Sequence, residues 1–557
     1  MPAPNRSLPF YIAIGLIQGL LVVSLLSAKV YFLDFNLSIA LCAMAAMAGI
    51  NLQLLGGLRG QRGALWLVAG LGLLIGAISA VVLDVEHMAW MEQTWCLAAV
   101  LVGYIGTAFI LAWPTREGLR PRYAALFQHA WNNAFIVLLA LLLTGLFWLL
   151  VWLCAGLFNM VGIAQVKQAV TAPVFVWLML PVVFSLGMRM GCENERIIGL
   201  LRGMLLALCR FLLPFSALSV VVFTLALPFT GLQADWGSGY FSSLLLALAG
   251  INLFLLNGVF QDGQQGQVYA APLKRLVEAS LLCLPVLVGL AAYAMWMRID
   301  QYGASPSLIL ALLLVAVMAA HSLAALWAVL APRRGWLHSL QVSNPWIALL
   351  SALLLVSFYT PLLAPQAISA RSQVERLLSG RTAVADFDVG NLYWRLGDPG
   401  RKAFDALDAQ LEAGEVLDRK KREQLLEKFS MVRTPRHEED LSTKVEWLGP
   451  VEPGGEAFDR MQATLQECGG KGCLLWGVDM DGDGRNEVLM IPRQVYASYV
   501  LLFARDGEWR EVGSFSGRFE GTDELVRLIR EGAMKPVTPR YKTFTLNGQD
   551  LTLGLEH

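Results

Sequence analysis

Residues 343–380 read SNPWIALLSALLLVSFYTPLLAPQAISARSQVERLLSG. From Pro345 to Leu363 the run carries no charge, close to the roughly 20 residues a helix needs to cross the hydrocarbon of a bilayer. After Pro365 the character changes: Arg371, Glu375 and Arg376 follow within one short stretch. This is where a membrane-crossing chain leaves the membrane, and the sequence on either side obeys that division.

Upstream, Met1 to Ala364 holds 17 Lys+Arg and 11 Asp+Glu; downstream, Pro365 to His557 holds 26 and 32. The 557-residue chain is 56% apolar with a mean hydropathy of +0.55, above the range of ordinary soluble domains. Its zero net charge therefore joins an apolar part to a part with the charge density of a soluble domain. The mildly acidic balance of the second part argues against a nucleic-acid partner.

The apolar runs predict spans near 8–28, 36–56, 64–83, 94–113, 133–157, 171–190, 204–228, 241–260, 277–297, 307–330 and 345–363, about 11 in all. The first run is not a cleaved signal, because another span follows it at once. The segment AQVKQAV (164–170) fits the membrane interface, and Pro173 and Pro181 interrupt the pattern beyond it. If the spans alternate, Arg6, Arg59, Arg62, Arg116, Arg120, Arg122, Arg189, Arg196, Arg202, Lys274, Arg275, Arg333 and Arg334 share one side. The other side receives Lys29, Lys167 and Arg298, with the acidic stretch LDVEHMAWME (83–92). Positive residues collect on the cytoplasmic side, so the N-terminus is expected there. An odd number of spans then puts 365–557 outside, in the periplasm of a bacterial inner membrane.

The expected plan is a polytopic α-helical membrane bundle over 1–364, a helical neck over 365–430, and an exported α+β domain over 431–557. Helices are predicted at PQAISARSQVERLLSG, closed by Gly380, and at DPGRKAFDALDAQLEAG, with Asp398 as N-cap and Gly414 as stop. A third is expected at VLDRKKREQLLEKF. From 473 the pattern turns to strands. CLLWGV and EVLMI flank an acidic loop, SYVLLFAR and EWREVGSF flank Asp506-Gly507, and YKTFTL and DLTLGL flank Asn547-Gly548. Asp-Gly and Asn-Gly between alternating runs signal hairpins, hence a hairpin-built antiparallel sheet. TDELVRLIREG adds a helix.

Two features bear on the compartment. Cys468 and Cys473 in ECGGKGC form a close, glycine-flanked pair, whereas the other six cysteines sit in or beside apolar spans. A disulfide fits an oxidising compartment; two thiols, or half of a zinc site, are the alternatives. The second feature is VDMDGDGRNEVLM (478–490). Calcium prefers several oxygen ligands, and a loop supplying them at positions 1, 3, 5, 7 and 9 can wrap the ion if glycine permits the turn. Those positions are Asp479, Asp481, Asp483, the Arg485 carbonyl and Glu487, with Gly484 at position six. Met490 stands at position 12, where an EF-hand requires a glutamate, and the flanks are strand-like. The loop resembles the Asp-x-Asp-Gly-Asp-Gly calcium hairpins of FG-GAP and dockerin-like modules. The alternative is an acidic hairpin without metal. Three converging aspartates repel one another without a cation, and turn chemistry alone needs only one or two.

SNPWIALL, then ISARSQVERLLSGRTAVADFDVGNLYWRLGDPGRKAFDAL, then DMDGDGRNEVLM, resemble the DUF4153 family of bacterial polytopic inner-membrane proteins. The resemblance is most specific from about Asn344 to Leu407. It implies an inner-membrane protein with an exported C-terminal domain, and it carries over no catalytic residues.

Within the spans Arg210 stands out, because a charge in hydrocarbon usually faces a cavity or partner. The alternative is a helix starting near Ile197, on which Arg202 and Arg210 snorkel to the interface. Asn252, Asn257, Glu278 and His321 are further polar candidates: the amides suit interhelical bonding, His321 a hydrogen-bonded bundle position, and Glu278 pairing with Lys274 or Arg275. Three function classes remain. The first is a non-enzymatic envelope protein whose bundle, partnered by the lipid bilayer, anchors a Ca2+-stabilised periplasmic domain that binds an envelope protein or glycan. The second is a transporter or lipid flippase, although no inverted repeat or pair of broken helices is evident. The third is a membrane glycosyltransferase using a lipid-linked donor, with Asp34, Asp84 and Glu86 as outward acids. The first is the expectation.

Overall fold

A computed structural model describes residues 7–28, 35–56, 62–83, 89–113, 121–230, 239–263, 268–331, 335–414, 416–433, 445–448, 473–480, 484, 486–492, 499–506, 508–516, 527–531, 544–546 and 549–551. The chain divides into two compact units, Met1–Phe429 and Ser430–His557.

Among the described residues the first unit contains 11 helices long and apolar enough to cross a membrane, as the spacing of apolar runs predicts. They are α1 (Leu8–Ala28), α2 (Phe35–Leu55), α3 (Arg62–Leu83), α4 (Ala89–Ala112), α5 (Tyr123–Met160), α7 (Pro173–Glu193), α8 (Glu195–Thr230), α9 (Gly239–Phe260), α10 (Ala271–Tyr302), α11 (Pro306–Leu330) and α12 (Leu340–Phe358). Between α5 and α7 lies α6 (Ala164–Thr171), eight residues with none buried and too short to cross. Several helices outrun their apolar spans. The 36-residue α8 would be about 54 Å long at 1.5 Å per residue. Lipid-facing positions on the bundle stay open to the surroundings: Trp66 is 79% and Phe229 88% exposed, which hydrocarbon tolerates and water would not.

Helix packing follows the rules of an apolar solvent, in which close backbone approach and shared polar atoms replace hydrophobic burial. In α1 the sequence GLIQG lays Gly15 and Gly19 on α7. A Cβ at Gly15 would stand 2.8 Å from Val182 Cα, and one at Gly19 2.9 Å from Leu178 Cα. Tyr11 Oη donates to the Gln53 carbonyl at 3.0 Å, and Gln53 Nε2 donates to Ser185 Oγ at 2.7 Å, tying α1, α2 and α7 together. A second core forms around α10, whose Leu281, Leu284 and Leu287 are wholly buried among α8, α9 and α11.

Helix ends meet as alternating helices require: the start of α1 bonds the end of α2, and the starts of α5 and α12 meet the end of α9, so the bundle has two ends. Among the described residues Arg122, Arg189, Arg196, Arg202, Lys274 and Arg275 belong to one end. At the other end α12 gives way to α13 (Pro365–Leu378), with Pro365 at its first turn. Arg376 donates to the carbonyls of Asp300 and Gln301 at the end of α10, and Ser372 Oγ accepts from Ala304 N at 3.1 Å in the α10–α11 turn. The neck-forming residues thus share the compact unit of the membrane helices and are anchored to its end.

Beyond α13, a π-helical turn over Asn391–Arg395 runs straight into α14 (Gly397–Ala413), followed by α15 (Arg419–Arg433). Gly380 (φ +77°) and Gly414 (φ +74°) end α13 and α14 in the left-handed conformation predicted for them. Asp398 is not the N-cap: it lies inside the first turn of α14, because the π-helical turn leaves no extended residue ahead of it. For α15 the capping carboxylate is Asp418, whose Oδ1 accepts from Lys421 N at 3.0 Å. That hydrogen bond holds the Asp418 carboxyl below its ordinary pKa. Phe404 and Phe429 stack at 4.2 Å, joining α14 to α15.

The second unit holds a sheet in the order β1-β2-β3-β4-β5: β1 (Val445–Leu448), β2 (Cys473–Val478), β3 (Glu487–Pro492), β4 (Tyr499–Asp506) and β5 (Glu508–Ser516). The pairs β2–β3 and β4–β5 are the expected hairpins, and a further antiparallel pair, β6 (Phe544–Leu546) with β7 (Gln549–Leu551), brackets Asn547-Gly548. The hairpin-built sheet gains one edge strand that the sequence pattern did not show: β1 pairs parallel with β2, Val445 opposite Cys473. As the second strand of the sheet, β2 is buried from Cys473 to Gly477, which explains its continuous apolar run. Ile529, from a helical turn at 527–530, packs on Leu474, Trp476 and Leu489.

Gly400 in α14 is the tightest joint of the neck, since an added Cβ would lie 2.1 Å from the Leu392 carbonyl oxygen. Backbone there has no room to yield, so Gly400→Ala is expected to destabilise the neck by about 1–3 kcal/mol, as overpacking does. Limited proteolysis of the detergent-purified chain should show faster cleavage between 380 and 400; an unchanged rate would contradict the packing.

Candidate functional site

Two places draw polar chemistry together, one in each unit. In the strand unit, the acidic loop closes the β2–β3 hairpin, with Val478 paired to Glu487 across its base. Gly484 has φ +82°, the left-handed turn that glycine allows at position six. Asp479 Oδ2 accepts from Gly484 N at 3.1 Å, and Glu487 Oε2 accepts from Met480 N at 2.6 Å. Both carboxylates are thereby aimed by backbone N–H groups of the loop itself. Glu487 is only 7% exposed, which for a carboxylate demands compensation. Asp481, Asp483 and Arg485 lie outside the described residues, and among the described residues no three metal-ligating side chains converge. Cys473 opens β2 fully buried, while Cys468 also lies outside the described residues.

In the membrane unit, a second set of polar residues gathers at the arginine-bearing end. Arg210 is anchored there by two bonds: its Nη2 donates to the Val268 carbonyl, and its own carbonyl accepts from Tyr269 Oη at 2.6 Å. Val268 and Tyr269 directly precede α10, so Arg210 stands level with the α9–α10 connection. The 20 residues that follow it, Phe211–Thr230, carry no charge and suffice to cross. Arg202, eight residues earlier on α8, donates to Asn132 Oδ1 at 2.9 Å. Both arginines line a recess of about 550 Å³, together with Gln128 of α5 and Gln261 and Asp262 beyond α9. The recess wall includes Phe127, which also lines a narrower groove of about 220 Å³ between α4, α5 and α12.

The mouth of that groove is held by an amide cluster. Asn344 Nδ2 donates to Asn257 Oδ1 at 2.7 Å and to Tyr123 Oη at 3.2 Å, and Asn257 Nδ2 donates to the Leu253 carbonyl at 3.0 Å. The three residues come from α12, α9 and α5. Farther in, His321 lines the groove with Nδ1 against the Val317 carbonyl at 3.0 Å. Of the other polar candidates, Asn252 donates to Ser216 Oγ at 3.2 Å, joining α9 to α8. Glu278 pairs with Lys274 at 3.7 Å and accepts from Trp336 Nε1 at 3.1 Å. Asp34, Asp84 and Glu86 lie outside the described residues. Tyr123, Asn344, Gln128 and Asp262 were not singled out by sequence, where each reads as an ordinary polar residue at a span end.

Comparison with known protein families, with curated proteins and with solved structures finds no match for this chain.

The Asn344 cluster joins three helices where hydrophobic burial cannot, and interhelical hydrogen bonds in membranes contribute about 0.6 to 1.7 kcal/mol each. Asn344→Leu is expected to lower unfolding stability in mixed micelles by about 1 kcal/mol, with Tyr123→Phe adding little in that background. A denaturing-detergent titration measures both. Independent, additive losses would show that the two side chains are not coupled.

Proposed function

We propose that this chain is a bacterial inner-membrane protein of the DUF4153 type, in which an 11-helix bundle anchors a Ca2+-stabilised periplasmic unit. The N-terminus and the arginine-bearing end face the cytoplasm, where positive loops are retained. The observation that carries the reading is the docking of α13 on the bundle end opposite Arg202, Lys274 and Arg275, from which the chain proceeds into the strand unit. An envelope protein or glycan is the partner in this reading, a part that rests on the plan of the chain.

The calcium assignment is supported by the donor set and by the loop. Asp479, Asp481, Asp483, the Arg485 carbonyl and Glu487 offer hard oxygen ligands suited to Ca2+. Gly484 already turns the loop, and the near-buried Glu487 is aimed by Met480 N. A cation there would offset the burial of Glu487 and the mutual repulsion of the aspartates. The Cys468–Cys473 disulfide belongs to the same proposal: six other cysteines are free thiols, and Cys473 is not among them. The ion and the bridge would staple β2 at both ends in a compartment that is oxidising and calcium-rich.

The transporter or lipid-flippase reading gains one observation, the recess and groove at the arginine-bearing end.

Isothermal titration of the full-length protein in detergent is expected to show saturable calcium binding, removed by Asp481→Ala or Asp483→Ala. Heats identical in the parent and both variants would rule the calcium site out.

A further inference from the structure

We propose that the recess of Arg202 and Arg210, with the groove it adjoins across Phe127, is a binding site for a membrane phospholipid: the phosphodiester on the arginines and an acyl chain along the groove. The site lies at the arginine-bearing end and does not depend on which compartment that end faces.

The two cavities divide along the same line as the two parts of a phospholipid. The recess is polar, and its charged groups are Arg202, Arg210 and Asp262, with the amides of Gln128 and Gln261 beside them. Among the described residues the Arg202 guanidinium donates to Asn132 Oδ1 and that of Arg210 to the Val268 carbonyl. A guanidinium has five N–H donors in a planar fork matched to phosphate oxygens, so such anchoring leaves capacity for an anion.

The groove is apolar along most of its length, lined by Ile105, Ala108, Phe109, Leu126 and Ala130. It leads inward from the same end. His321 lies nine residues before the end of α11 and Tyr104 eight before the end of α4, depths of about 14 and 12 Å at 1.5 Å per residue. A water-soluble anion has no use for such a groove, and a fatty chain without a phosphate has none for the paired arginines. The bilayer supplies a molecule with both, already oriented with its headgroup at the level of Arg210. Residues from α4, α5, α8, α9, α11 and α12 line the two cavities, so a lipid seated there would touch helices from both sides of the recess.

Binding to the full-length protein in neutral detergent, read by native mass spectrometry, tests the proposal. Phosphatidylglycerol should bind saturably. Diacylglycerol with the same chains should not, and neither should glycerol phosphate at the same concentrations. Arg202→Gln and Arg210→Gln should each weaken phosphatidylglycerol binding about tenfold, the scale of one charge-assisted hydrogen bond. Ala130→Phe, which fills the groove without touching the charges, should weaken it similarly. Equal binding of diacylglycerol would overturn the role of the arginines, and equal binding of glycerol phosphate the role of the groove. Unchanged affinity in all three variants, each eluting as the parent does in gel filtration, would overturn the site.

Discussion

A charge placed in hydrocarbon is held only if it reaches water or a partner, and that constraint organises this protein. It explains why α8 continues for 36 residues yet leaves its last 20 uncharged, with Arg210 marking the boundary. It also explains why Lys274 and Glu278 pair at the start of α10 and why Arg376 lies beyond its other end, capturing carbonyls. Each charge sits where a helix meets an interface. Between those charges neutral polar groups join helices among the described residues, as Gln53, Asn252 and Asn344 do.

From that constraint follows a molecule with two unlike ends. The last of the eleven membrane-length helices among the described residues leads into α13, which is tied to the α10–α11 turn. The neck packs in turn through the close approach of Gly400 to Leu392 and the stacked Phe404 and Phe429. At the other end the arginines, the amide cluster and the two cavities form a surface suited to lipid headgroups. The strand unit differs chemically: its described strands form a five-stranded sheet whose buried residues are few, Leu448, Leu474, Trp476 and Leu489 among them.

The spans were legible because an apolar run of about 20 residues matches the thickness of bilayer hydrocarbon and is seldom needed in a soluble core. Helix ends were less so, since α5, α8 and α10 run past the hydrocarbon into mixed sequence where nothing local marks a stop. The π-helical turn at Asn391–Arg395 and strand β1 escaped for a similar reason: four or five residues carry too little pattern, and β1 is made a strand by pairing with β2 far along the chain. The β2–β3 hairpin that bears the acidic loop was legible, because its flanking strand patterns are local. The groove was not. Tyr123, Asn257 and Asn344 come from helices more than 200 positions apart at the extremes, and only folding makes them neighbours.

Everything proposed for the molecule's orientation requires the arginine-bearing end and the neck end to face different compartments, the arginines inside. Asp405 on α14 and Arg196 on α8 are both exposed and report the two ends. Asp405→Cys and Arg196→Cys, each in a chain whose six free cysteines are replaced by alanine, can be probed with a membrane-impermeant maleimide on intact spheroplasts. Labelling is expected at 405 without lysis and at 196 only after it. Labelling of 196 in intact cells with 405 protected would contradict that orientation.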